Sequence, residues 1–188
     1  MITDPIRSKN QLKALAGYWL KRGNYRNYAL IVLGVCTALR ISDLLRLKWS
    51  DVYDFEAESF HSHVIIVERK TGKRKIIALN KQAIRVLRLC LASRRSNYIF
   101  ANNRKDAVPI SRIQAWRIIK AAAEAIQATG CIACHSLRKT FGYFAWKSGV
   151  LPVMLMDIYN HSSFEITRRY LGIAQEDRDK IYLSMEFF

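Results

Sequence analysis

Four separated segments of this sequence each carry a side chain suited to phosphoryl transfer. Ala38-Leu39-Arg40-Ile41-Ser42-Asp43 presents Arg40 at a helix junction. His135-Ser136-Leu137-Arg138 sets a histidine and an arginine three residues apart at a helix start, so that both face one way. His161-Ser162-Ser163 lies in a turn, and Tyr170 follows about two turns into the next helix. Displacing an oxygen of a phosphodiester crowds the phosphorus and adds negative charge to its non-bridging oxygens. The guanidinium forks of Arg40 and Arg138 suit that charge, because each bonds bidentately and neither gives up its proton. Losing one such preorganised donor costs on the order of 100- to 1,000-fold in rate. Tyr170 is the candidate nucleophile. A free phenol has a pKa of about 10, so it needs a base or a cationic setting at neutral pH. His135 and His161 are the candidates for that help.

The elements that must position these groups can be read from periodicity. Ser8 caps a first helix with Leu12, Leu15, Ala16, Trp19 and Leu20 on one stripe, broken at Gly23-Asn24. A more buried helix runs from about Tyr25 to Ala38. A short helical piece follows Arg40, with Ser42 as its cap. From Val52 to Leu79 the chain turns rich in β-branched and aromatic residues, predicting two or three antiparallel strands. Two of them, His63 to Val67 and Lys75 to Leu79, are joined by Lys70-Thr71-Gly72-Lys73, with Gly72 supplying a positive φ. Beyond Asn80 the pattern returns to helix. Ser111 with Gln114 forms a capping box for a helix ending near Gly130, another helix runs from about Ser136 to Gly149, and Ser162 with Glu165 caps the one bearing Tyr170. The fold class is α+β, mainly helical with a small antiparallel sheet, in one domain over residues 1–188.

Composition narrows the partners. Lys and Arg number 31 against 15 acidic residues, for a formal charge of +16. Such an excess gives self-repulsion rather than folding energy, and it fits a polyanionic partner, nucleic acid above all. The N-terminus has no secretory apolar run, and the stretch from Tyr28 to Leu39 is shorter than the ~20 residues that span a bilayer. A cytoplasmic protein with reduced cysteines and no membrane contact is expected.

With Lys70 on the hairpin, the set Arg40, His135, Arg138, His161 and Tyr170 resembles the tyrosine recombinase family of phage integrases and its relatives, the type IB topoisomerases. The resemblance runs from about Leu12 to Leu171. It implies a catalytic domain that cuts and rejoins DNA strands through a 3′-phosphotyrosyl bond at Tyr170. It assigns His135 proton transfer and orientation, and His161 a hydrogen bond to the phosphate. Lys70 matches the family's hairpin lysine, the general acid that protonates the leaving 5′-oxygen; Lys73 and Lys75 are competitors. Because the phosphotyrosine stores the bond energy and side chains stabilise the charge, neither ATP nor a metal or other cofactor is expected. Double-stranded DNA is the implied substrate, bound by a homotetramer on paired sites, with room for accessory DNA-bending proteins. Site-specific integration, excision or inversion is the implied outcome.

Some positions depart from the family's pattern. Tyr159-Asn160 stands where Leu-Gly is usual, and Asn is the next-best residue for a left-handed cap. Asp43 replaces a common Glu, and the residues after Tyr170, Leu-Gly-Ile, are not the usual continuation. Only 39 residues precede Arg40, so no separate N-terminal DNA-clamping domain is expected in this chain. It reads as a short-form recombinase, like those that invert bacterial phase-variation switches, or as an excised domain. The tail from Ala174 to Phe188, with Ile181, Tyr182, Leu183, Met185, Phe187 and Phe188, is too apolar for a solvated end. It packs either on its own core or on a neighbouring subunit.

Other readings compete. Cys131-Ile132-Ala133-Cys134-His135 matches the CxxCH of haem attachment, a chemistry of secreted proteins that leaves Arg138, His161 and Tyr170 unexplained. A zinc site needs another ligand, while Cys36 and Cys90 fall in apolar helices. A topoisomerase IB-like enzyme would use the same cleavage but only relax one duplex. A non-catalytic DNA-binding protein would read the major groove by its helices.

Overall fold

The computed structural model describes residues 3–104, 107–171, 173 and 175–185. Its elements run, in chain order, α1 (Lys9–Leu20), α2 (Tyr25–Cys36), α3 (Ile41–Leu44), β1 (Tyr53–Asp54), β2 (Ser59–Phe60), β3 (His63–Val67), β4 (Arg74–Ala78), α4 (Lys81–Leu91), α5 (Arg112–Ala125), α6 (Cys134–Lys147), α7 (Pro152–Tyr159), α8 (Phe164–Leu171) and α9 (Gln175–Ser184). A 3-10 turn, Trp49–Asp51, leads into β1. The expected small sheet is present as two separate antiparallel ladders, β1 with β2 and β3 with β4.

Most helix starts follow the caps in the sequence. Ser8 accepts from the Gln11 amide at 3.3 Å, and Ser111 from the Gln114 amide at 3.1 Å. Other boundaries move. Arg40, not Ser42, occupies the cap position of α3, because the extended backbone at Arg40 turns directly into the helix. α5 stops at Ala125, short of Gly130. α6 begins two residues before Ser136, so His135 and Arg138 both lie within it. At α8 the capping oxygen is that of Ser163, 3.5 Å from the Ile166 amide, rather than Ser162.

Three apolar clusters hold these pieces. The largest joins α2 and α4 to the β3–β4 hairpin through Leu33, Leu87, Val64 and Ile77. A second, with Leu15, Ile31, Ile119 and Leu137, binds α1, α2, α5 and α6. Each fully buried Leu or Ile contributes roughly 1.5–3 kcal/mol. Gly34 allows α6 to press on α2, since a Cβ there would sit 2.6 Å from Leu137 Cδ1. The third cluster, Ala38, Leu155, Tyr159 and Leu171, packs against Phe141 and Tyr170.

Among the described residues no helix is long and apolar enough to cross a membrane. Of the apolar tail, Ile181, Tyr182, Leu183 and Met185 are exposed, so these four side chains do not pack on the chain's own core. Phe187 and Phe188 lie outside the described residues.

Candidate active site

Arg138 is the largest fully buried side chain of the site, 1% exposed, one turn into α6. Its guanidinium is held by two backbone carbonyls from distant loops. Nη1 donates to Ala38 O and Nη2 to Tyr159 O at 2.9 Å, while Nε has no hydrogen-bond partner among the described residues. The Ala38 carbonyl is aimed there by a left-handed backbone, φ 52°, an uncommon conformation for a residue with a Cβ. That turn ends α2 and delivers Arg40 two residues later. Arg138 therefore fixes the segment carrying Arg40 and, through Tyr159, the turn carrying His161.

That turn is sharp because Asn160 takes the left-handed conformation (φ 52°, ψ 44°), the cap expected of Asn in place of Gly. Its side-chain amide donates to Glu68 Oε2 at 3.0 Å. His161 places Nδ1 3.0 Å from Thr167 Oγ1, which orients the ring and leaves Nε2 for another partner. Tyr159 is fully buried and stacks on His161, with centroids 5.1 Å apart. Its hydroxyl donates to Arg138 O at 2.8 Å, and burial pushes its pKa up. It is packing, not a nucleophile.

Tyr170, two turns into α8, reaches the other side of the same cluster. Its hydroxyl lies 2.7 Å from Nε2 of His135. Its ring sits 4.8 Å from that of His161, and the Arg138 guanidinium is 5.9 Å from its centroid. His135 keeps one edge open to solvent, yet burial and then Arg138, Lys139, Arg40 and Lys70 push its pKa down to about 4. His161 is pushed to about 4 as well, by burial and by Arg138 and Arg40. Both imidazoles are neutral at pH 7, the form able to take a proton from a phenol or to bond a phosphate oxygen.

Arg40 completes the group, its Nη1 2.7 Å from Glu68 Oε1. Thus Arg40, Arg138, His135, His161 and Tyr170 are brought together. Lys70 is not: it stands exposed on the hairpin turn, where Gly72 supplies the expected positive φ of 66°. Lys73 is exposed too, whereas Lys75 turns inward on β4. Burial, and Arg138 after it, lower the Lys75 pKa to about 8, and its buried ammonium has no hydrogen-bond partner among the described residues. Asp43 anchors the hairpin rather than Arg40, its Oδ1 accepting from the Arg69 amide at 3.1 Å.

Glu68 is not singled out by the sequence, and Tyr159 reads there only as an ordinary helix tyrosine packed by its ring. The local signal at Glu68 is a charge just past the end of β3 that stays in inward step with Val64 and Ile66. Among the described residues no three His, Cys, Asp or Glu gather as a metal site, and Cys131 and Cys134 are free thiols.

The phage integrase family pattern matches residues 8–177. The probable integrase/recombinase YoeC of Bacillus subtilis is 37% identical over 182 residues, covering 96% of both chains. The tyrosine recombinase XerC of Pelobacter propionicus is 26% identical across 92% of this chain and 57% of its own length. Among solved structures, the XerA recombinase superposes with a TM-score of 0.77 at 22% identity, over 98% of this chain and 68% of the other. XerH, in a post-cleavage complex with its palindromic difH substrate, gives 0.79 at 15% identity, over 97% and 53%. This chain spans nearly all of YoeC but about half of XerC and XerH.

Proposed function

The chain belongs to the phage integrase family, and from that premise we propose that it is a site-specific DNA recombinase whose nucleophile is Tyr170. The phenol gives its proton to neutral His135 Nε2 as its oxygen forms a bond to phosphorus, and the bond to the 5′-oxygen breaks. A 3′-phosphotyrosyl linkage and a free 5′-hydroxyl result. Lys70 supplies the proton to the leaving oxygen once the hairpin closes on the DNA, which explains its place outside the cluster. Arg40 and the unpaired Nε of Arg138 stabilise the charge on the non-bridging oxygens. Rejoining is the reverse attack by a 5′-hydroxyl from a second duplex, with no nucleotide or metal consumed.

The observation that carries this reading is the 2.7 Å contact of Tyr170 with His135 inside an arginine-lined site. The +16 charge supports double-stranded DNA as the substrate, and hence action in the cytoplasm. The exposed apolar residues of α9 support assembly of several copies, each tail covering a neighbour, as a tetramer on paired sites requires. The test is recovery of the host DNA fragment that becomes covalently attached, followed by a nicked duplex built on that site. A slow-migrating protein–DNA band on a denaturing gel, absent with Tyr170→Phe, is the expected result. No band with the unaltered chain would overturn the reading.

A further inference from the structure

Glu68 has no solvent exposure, yet it is an anion. Burying a carboxylate costs several kcal/mol unless it is paired and hydrogen-bonded. Here an ion pair and two hydrogen bonds, from three segments, meet it. Arg40 Nη1 lies 2.7 Å from Oε1; Thr71 Oγ1 and Asn160 Nδ2 donate to Oε2 at 2.8 and 3.0 Å. Thr71 is the neighbour of Lys70, and Asn160 the neighbour of His161. Against the opposing effect of burial, these donors, Arg40 foremost, hold the Glu68 pKa down to about 2.

The same carboxylate sets the local charge. Arg40, Arg138 and Lys75 bring three positive charges to this region, and Glu68 and Asp43 bring two carboxylates, with both histidines neutral. With Lys70 and Lys139 also acting on His135, the region keeps an excess of positive charge to meet the phosphodiester anion. With Nη1 committed to Glu68, the remaining donors of Arg40 keep one orientation.

We propose that Glu68 is a positioning residue for strand cleavage, fixing the Arg40 guanidinium while tying the Lys70 turn and the His161 turn to one carboxylate. It acts through those neighbours and does not touch the phosphate. The proposal rests on the reading that Tyr170 cleaves DNA.

Glu68→Gln tests it, because an amide has one acceptor. Whichever way it is turned, its NH2 faces either Arg40 or the pair Thr71 and Asn160, all donors. Single-turnover cleavage and DNA affinity are measured on the nicked duplex built on the recovered site. The same duplex is then made with a methylphosphonate, lacking the anionic charge, at the scissile position. The expected result is a cleavage rate lowered on the order of 100-fold on the phosphate, little change in affinity, and a much smaller deficit on the methylphosphonate, where Arg40 has less charge to meet. Glu68→Asp, which keeps the charge but is one methylene shorter, is expected to recover part of the rate. It repeats the comparison if the Gln variant folds poorly. An equal deficit on both substrates would mark Glu68 as merely structural and overturn the proposal, as would an unchanged rate. No adduct from the unaltered chain would instead overturn the cleavage reading on which the proposal rests.

Discussion

The guanidinium of Arg138 donates to the carbonyl oxygen of Ala38, one hundred positions earlier in the chain. This arginine therefore organises the site as well as lending it charge. Arg138→Lys removes the fork that spans Ala38 and Tyr159. Cleavage is expected to fall on the order of 100-fold or more, with most DNA affinity retained. Unfolding stability should drop by about 1–3 kcal/mol, the cost of leaving buried carbonyls unpaired. Gel-shift and thermal melting check both, and equal loss of binding and cleavage would reduce Arg138 to a binding residue.

His135 and His161 have folded-state pKa values near 4, below the unfolded value of about 6.5. The unfolded chain thus binds more protons between those values. Their contribution to stability is fully present above about pH 6.5 and is lost as pH falls towards 4. Titration of the imidazole resonances in the DNA-free protein should show no inflection for either residue between pH 6 and 8. An inflection near 6.5 would contradict the neutral base.

Asn160 does two things, adopting the left-handed conformation and bonding Glu68. Asn160→Gly keeps the first and loses the second. Asn160→Ala loses both, at a further cost of about 1–2 kcal/mol for the Cβ. The alanine variant should melt about 2–4 °C or more below the glycine variant. Equal melting temperatures would deny the strain at this turn.

Phosphate contacts release counterions, so DNA affinity should fall steeply with salt. A slope of log K on log salt of about −4 or steeper is expected if four or more phosphates are held. A nearly flat response would contradict a backbone grip.

What the sequence made legible was mostly local. The HxxR spacing, the Gly72 turn and the left-handed Asn160 each follow from a few neighbouring residues, and each is found. Glu68 was not legible because its partners come from the α2–α3 junction, the hairpin and the α7–α8 turn, and only folding brings them together. Tyr159 looked like an ordinary packed tyrosine, and it is one. Its importance lies in the backbone carbonyl it offers Arg138 and the ring it offers His161, which no residue type announces. The shift from Ser162 to Ser163 at α8 is of the same kind, since two adjacent serines offer equivalent caps until the turn before them is built.

The most direct measurement is mass spectrometry of the protein after cleavage, nuclease trimming and proteolysis. The expected product is a nucleotide joined through its 3′-phosphate to Tyr170. A nucleotide found instead on Tyr143 or Tyr182, or an adduct that persists in Tyr170→Phe, would contradict the assignment.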